Sequence, residues 1–391
     1  MDTADTHIYY DISIFNNDIS GAMPVNLNFN EMRSGGALID NPSNYFFSIV
    51  RFEIDTPKIP VFIPQARPGA LNDLIYTFAI ETVSEVNNTY INIYKGRVQF
   101  TPINPNLEAP DPTQNNFSHE YYYIYNFHRW IDMVNTCLTN IFNAIPSSQK
   151  LLSSKAPFLA YDSNSGLVSL YTTADYMDEQ NTKRLNIYWN APTETIFGGF
   201  DTTQISITRA HCIDADTPPI ETSSHTSAYY RLNIRNPNNI NRVDLGVSGA
   251  PSYYIQSKQS YPSFPLCNPI QNIVFTTSGN LPIVSSQQAT PVIFSSEGDC
   301  STQGGADNIS PILTDFIVPL TNGNEYRPTI NYSPSVYRLL DLKGNSPLKN
   351  CDLQVYWKSK IDAKLHPVVL GSQCGASCKI MFRKKTFDNI F

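Results

Sequence analysis

Apolar and polar residues alternate with a period near two through most of this chain, and only once with a period near 3.6. The segments "NYFFSIVRFEI" (44–54), "LIYTFAIETV" (74–83) and "TYINIYKGRVQF" (89–100) are alternating or continuously apolar runs bounded by Pro, Asn or Gly. Such runs predict strands, because successive side chains of a strand point to opposite faces of its sheet. "IPVFIP" (59–64) reads as a further short strand. "RLNIYWN", "TQISITRA", "AYYRLNIRN", "QNIVFTTS", "TPVIFSS" and "ILTDFIVPL" continue the supply at short intervals, the spacing expected of a sandwich or jelly roll. No fixed-period repeat is present, which argues against a propeller or solenoid.

The exception is "SHEYYYIYNFHRWIDMVNTCLTNIFNAIP". Here Ile124, Phe127, Ile131, Val134, Leu138, Ile141 and Ile145 recur at spacings of three and four, and Pro146 stops the run. The spacing predicts one long amphipathic helix over 119–145 whose stripe packs on a sheet, with His128 at its rim. Just beyond it, "APFLAYDSNSGLVSLYTT" sets Asp162 to Gly166 between two alternating runs; Gly166 can supply the positive φ that a short hairpin loop needs.

Organisation along the chain follows from the same pattern. Residues 1–40 are polar and Asn-rich; their pattern "IYYDISIFNN" could pair as an edge strand or run as an arm, and a partly extended N-terminal arm is expected. Residues 41–205 form a β-rich region containing the helix 119–145, and 206–391 a second β-rich region. Between strand and helix, "TPINPNLEAPDPTQNN" (101–116) holds four prolines in sixteen residues and reads as a loop. The fold class is therefore mainly β, an antiparallel sandwich or jelly roll with one long helix, and 391 residues are enough for about two domains.

Composition sharpens this picture. The 391 residues include 23 Tyr, 21 Phe, 28 Pro and 38 Asn, while only 16% are charged, as suits pleated surfaces joined by many turns. A net charge of -7 argues against wholesale wrapping of nucleic acid, so any such contact must be local. One place qualifies: in "CKIMFRKKTF", Lys379, Arg383, Lys384 and Lys385 fall within seven residues at the end of a predicted strand. The plain reading is a solvated end whose charges keep an edge strand from pairing. No apolar run approaches the ~18 residues of a membrane span, and the start "MDTADTHIYYDISIFNN" lacks a secretory pattern. The seven Cys contain no CxxC pair and read as reduced thiols of a protein assembled inside a cell.

Candidate chemistry is sparse. HExxH, a Walker A loop, GxGxxG and GxSxG are all absent. Ser147 to Lys150 and Ser346 to Lys349 fit SxxK but lack the companion elements of a Ser/Lys nucleophile. Cys374 and Cys378 with His366 offer one pair where zinc wants two. "HCIDAD" offers His211, Cys212, Asp214 and Asp216, types that fix no single metal's geometry. The expectation is no enzyme, no catalytic residue, no cofactor and no metal. An aromatic sandwich also suits a carbohydrate-binding module, but Trp130, Trp189 and Trp357 lie within predicted elements, which favours burial over sugar stacking.

An ordered set of blocks carries a family resemblance: "NPSNYFFSIVRFEI" and "IPVFIP", then "YYYIYNFHRWIDMVNTCL" and "PFLAYDSNSGLVSLY". "ILTDFIVPL", "YSPSVYRLLDLKG", "LQVYWKS", "HPVVL" and "KIMFRKK" complete it. Together they resemble the penton, or minor capsid, proteins of the virophage, Polinton and adintovirus group of small double-stranded DNA viruses. The resemblance implies a jelly roll that forms homopentamers at the fivefold vertices of an icosahedral virion, beside a double jelly-roll major capsid protein. It implies an inserted outer domain open to a host receptor and a jelly-roll base facing packaged DNA, where the basic residues 379–385 would make non-specific contacts. No RGD is present, so integrin-type attachment has no support. A shortened, trimeric major capsid protein and a carbohydrate- or receptor-binding module are the alternatives. Without a metal, EDTA should leave the melting temperature unchanged; a fall of many degrees would make Cys374, Cys378 and His366 a site.

Overall fold

Two separately cored β-units account for the chain. The computed structural model describes residues 7–19, 25–84, 89–113, 119–176, 183–208, 212–214, 226–234, 242–246, 253–284, 311–317 and 329–385. The first unit gathers Met1–Pro60, Pro269–Pro319 and Tyr326–Phe391, and the second comprises Val61–Asn268 with Leu320–Glu325. This division differs from the expected boundaries at 40 and 205. Strand pairing joins chain ends that are far apart in sequence, and a hydrophobic pattern does not reveal its partners.

The first unit is an antiparallel sandwich of jelly-roll class. One sheet runs in the order His7–Phe15, Gly375–Lys384, Tyr45–Asp55 and Thr329–Tyr332, with Leu340–Asp341 also on Tyr45–Asp55. The other runs Ile312–Ile317, Ile270–Thr276, Asn350–Ser359 and Leu365–Pro367, with Asn28–Met32 also on Asn350–Ser359. Alternate residues of the two inner faces form its core: Phe52 meets Phe275 at 5.2 Å and Phe316 at 5.0 Å between ring centroids. The expected arm is therefore in part a sheet strand, since Ile8 pairs with Phe382 and Ile12 with Cys378.

In the second unit a six-stranded sheet runs Thr202–Thr208, Thr226–Leu232, Lys183–Asn190, Asp73–Ser84, Thr89–Gln99 and Cys212–Asp214. A four-stranded sheet runs Arg242–Asp244, Tyr253–Lys258, Leu167–Thr172 and Phe158–Asp162. The hairpin expected at Asp162 is present: Gly166 has φ +69° and its N–H donates to the Asp162 carbonyl at 2.8 Å. Buried Gln259 ties this unit together, accepting from the Val168 N–H at 2.9 Å and donating to the Gly198 carbonyl and Ser263 Oγ, both at 2.8 Å.

The α-helix spans Phe127–Ala144, shorter than the expected 119–145. Asn126 caps it by accepting from the His128 N–H at 2.8 Å. Before the cap, the tyrosines take other partners: Tyr121 donates to Asn72 Oδ1 and Tyr122 to the Leu71 carbonyl, leaving one 3-10 turn at Glu120–Tyr122. All seven residues of the stripe are nevertheless buried. Asn135, off the stripe, bonds both backbone groups of Leu159, at 2.9 and 2.7 Å, and so joins the helix to the strand Phe158–Asp162. "IPVFIP" forms no strand; the Val61 and Phe62 N–H groups both donate to the Ile124 carbonyl. "TPVIFSS" lies outside the described residues.

Gly96 sets how closely the helix approaches its sheet. A Cβ at that position would stand 2.8 Å from Ile141 Cγ1 and 3.4 Å from Cys137 Sγ. Gly96→Val should accordingly destabilise the protein by about 1–3 kcal/mol, as overpacked cores do, measured by urea unfolding followed through tryptophan fluorescence; an unchanged midpoint would refute the close approach.

Candidate functional site

The strand Gly375–Lys384 carries the candidate residues, and its position is dictated by its apolar half. Ile380 and Phe382 are fully buried, with Phe382 packed against Phe47 at 5.6 Å and Tyr10 at 6.0 Å. Burying the two side chains contributes on the order of 3–6 kcal/mol, enough to hold the strand in the sheet between His7–Phe15 and Tyr45–Asp55. A register shift between Lys379 and Ile380 bends the pairing with Tyr45–Asp55. Met381 is also buried, so the other face is less exposed at this end than simple alternation implies.

The four cations meet different surroundings. Lys379 Nζ lies 3.4 Å from Asp11 Oδ2 and 5.4 Å above the Tyr9 ring, and Arg51 approaches the same carboxylate at 3.4 Å. Lys385 is anchored: its Nζ is 2.7 Å from Asp341 Oδ1, donates to the Ser43 carbonyl at 2.8 Å and sits over Phe46. Its main-chain N–H also donates to the Asn44 carbonyl at 2.8 Å. Arg383 and Lys384 are exposed, and neither forms an ion pair among the described residues. The cluster read from the sequence as four charges therefore splits into two that are locally paired and two that face solvent.

Sequence reasoning missed a fifth cation here. The Ser43 N–H donates to the Gly344 carbonyl at 3.0 Å and Ser43 Oγ to Asn345 Oδ1 at 3.0 Å, which draws exposed Lys343 toward the end of the strand. The turn signal "LKGN" was visible, but nothing in it names residue 43 as its partner. Asp11 and Asp341 were equally invisible as counter-charges.

The other candidates do not converge. His366 is buried and stacked on Trp357 at 4.2 Å, with Nε2 3.7 Å from Asp362 Oδ1. Cys378 is buried, which pushes its thiol pKa up, and Cys374 is raised by partial burial and by Asp55. Cys351 is likewise pushed up to about 12 by burial. Neutral thiols of this kind are poor nucleophiles and poor metal ligands at neutral pH. No group of three His, Cys, Asp or Glu side chains could hold a metal among the described residues. His211 and Asp216 lie outside them. Lys150, the candidate base of one SxxK, donates to the Phe142 carbonyl at 2.9 Å and so closes the helix C-terminus. Trp130, Trp189 and Trp357 are all fully buried, which removes them as a sugar-stacking platform.

The candidate residues thus do not assemble into a catalytic set among the described residues, whereas a sandwich with a charged end emerges. Comparison with known families gives a match to the Sputnik minor capsid protein V18/19 over residues 8–384. The chain belongs to that family. It is a structural protein of the virion, not an enzyme. Within Sputnik virophage it is 37% identical over 161 residues to an uncharacterized protein, V18, covering 39% of this chain and 89% of V18. It is 27% identical over 232 residues to the structural protein V19, covering 58% of this chain and 94% of V19. A chain of the 3.5 Å cryo-EM structure of Sputnik virophage superposes with a TM-score of 0.74 at 29% identity, over 97% of this chain and 98% of that one. The mavirus penton protein shares the fold, with a TM-score of 0.60 at 16% identity over 97% and 99% of the two chains. No helix among the described residues is long and apolar enough to cross a membrane.

The split of the basic cluster has a measurable consequence. Lys385→Ala should cost about 1–2 kcal/mol, because it strips a partly buried carbonyl and a carboxylate of their shared donor. Arg383→Ser with Lys384→Ser should change stability by under about 0.5 kcal/mol. Equal melting temperatures for the two variants would show that Lys385 is no anchor.

Proposed function

We propose that this minor capsid protein is the vertex protein of an icosahedral double-stranded DNA virus particle, a homopentamer set among double jelly-roll major capsid proteins. The observation that carries the proposal is the family match from residue 8 to 384, joined to a fold shared end to end with a penton protein. Composition supports it: a chain with 16% charged residues and many Tyr and Phe suits surfaces that bury against one another. We assign the second unit, with its own core, to the outer domain, the part available to a host receptor.

The basic end of the first unit is assigned to the particle interior. There Arg383 and Lys384, with Lys343 beside them and Lys379 and Lys385 behind, would contact phosphates of packaged DNA without reading bases. Three exposed cations per chain are weak alone, but five copies around one axis multiply them.

Light scattering on the purified protein should give a mass five times the 43.9 kDa of the chain. Three times that mass would instead favour a trimeric major capsid protein, and a monomer with sugar affinity a binding module. For the interior surface, Arg383→Ser with Lys384→Ser should weaken binding to duplex DNA and flatten its salt dependence, by about 0.9 in slope for each phosphate left without its cation. Identical curves for wild type and variant across a salt titration would leave these cations as the solvated end of a strand that is paired on both sides, not an edge.

A further inference from the structure

We infer that the two lateral edges of the first unit are the two halves of the contact between neighbouring copies; the inference rests on the pentamer reading above. A ring closes only through a heterologous interface, in which one patch of each copy meets a different patch of the next. The body of the first unit offers two such patches.

One edge is made by the N-terminal strands. His7–Phe15 ends its sheet and Asn28–Met32 lies at the same side of the other, as the Tyr10 hydroxyl bonded to the Leu38 carbonyl at 2.9 Å and Arg33 above the Tyr10 ring require. Tyr9, Phe15 and Met32 are 51%, 60% and 67% exposed along it. The far edge is made by Ile312–Ile317 in one sheet and Thr329–Tyr332 in the other, aligned by the Phe316–Tyr332 ring contact at 4.9 Å. There Ile317 is 74% exposed, and Val336 and Tyr337, in the loop after Thr329–Tyr332, are 82% and 44% exposed.

The occupant is a second copy of this chain, for two reasons. Large apolar side chains stand out at both ends of the same sandwich, the arrangement a head-to-tail ring needs and a twofold dimer does not. Both outermost strands also lack the Lys and Pro residues that commonly blunt a solitary edge: "HIYYDISIF" and "ILTDFI" each hold one acidic residue and neither Lys nor Pro.

Met32→Glu and Ile317→Glu test this separately and together. Each variant alone should run as a monomer in light scattering, with circular dichroism and melting temperature like wild type. Mixed in equal amounts they should form dimers and nothing larger, because only the intact edge of one meets the intact edge of the other. Should either variant misfold, Tyr9→Glu or Val336→Glu replaces it at the same edge. A variant that still forms the wild-type pentamer would overturn the assignment of its edge while leaving the vertex reading standing. Monomeric variants whose mixture yields no dimer would overturn the pairing of these two edges. A wild-type protein that is itself not pentameric would instead sink the vertex reading.

Discussion

The last strand of the chain has to lie between His7–Phe15 and Tyr45–Asp55. Phe382 is the visible reason: it pairs with Ile8 on one side and with Phe47 on the other, and its ring is fully buried against Phe47 and Tyr10. Without Gly375–Lys384, the strands His7–Phe15 and Tyr45–Asp55 share no neighbour in that sheet. The sandwich core, in which Phe52 meets Phe275, Phe316 and Tyr332, therefore depends on residues contributed by both ends of the chain. Such non-local pairing is slow to form and waits for synthesis of the C-terminus.

The same constraint explains how a second unit can be carried within the first. Closing a long loop costs only slightly more entropy than closing a shorter one, since the cost grows with the logarithm of length. Val61–Asn268 has its own core, including a helix laid on Gly96 and a network around Gln259, and so does not rely on the sandwich for burial.

Strand order also decides the electrostatics of the basic end. Pairing His7–Phe15 beside Gly375–Lys384 puts Asp11 opposite Lys379, and pairing Leu340–Asp341 on Tyr45–Asp55 brings Asp341 to Lys385. Paired charges contribute little at distances beyond about 10 Å, where salt screens what remains. Arg383, Lys384 and Lys343 are left exposed at this end.

Local periodicity was enough for much of the rest. Seven residues spaced by three and four are all buried, Asp162 to Gly166 form the hairpin turn, and the tryptophans are interior. These features follow from the geometry of a helix or a strand over a few residues, which any window of sequence contains. The ordered blocks along the chain pointed to the family because they mark strands, the helix and the segments between them, whose order a fold must keep. What no window contains is a partner. "IPVFIP" has the composition of a strand, yet its Val61 and Phe62 N–H groups go to Ile124; "IYYDISIF" reads as an edge strand or an arm, and its pairing with residues 375–382 decides which. The boundaries between the two units, the counter-charges of Lys379 and Lys385, and the approach of Lys343 were decided by tertiary structure alone. Each depends on which distant segments hydrogen-bond side by side, and that choice is made by the whole core at once rather than by any residue's own preference.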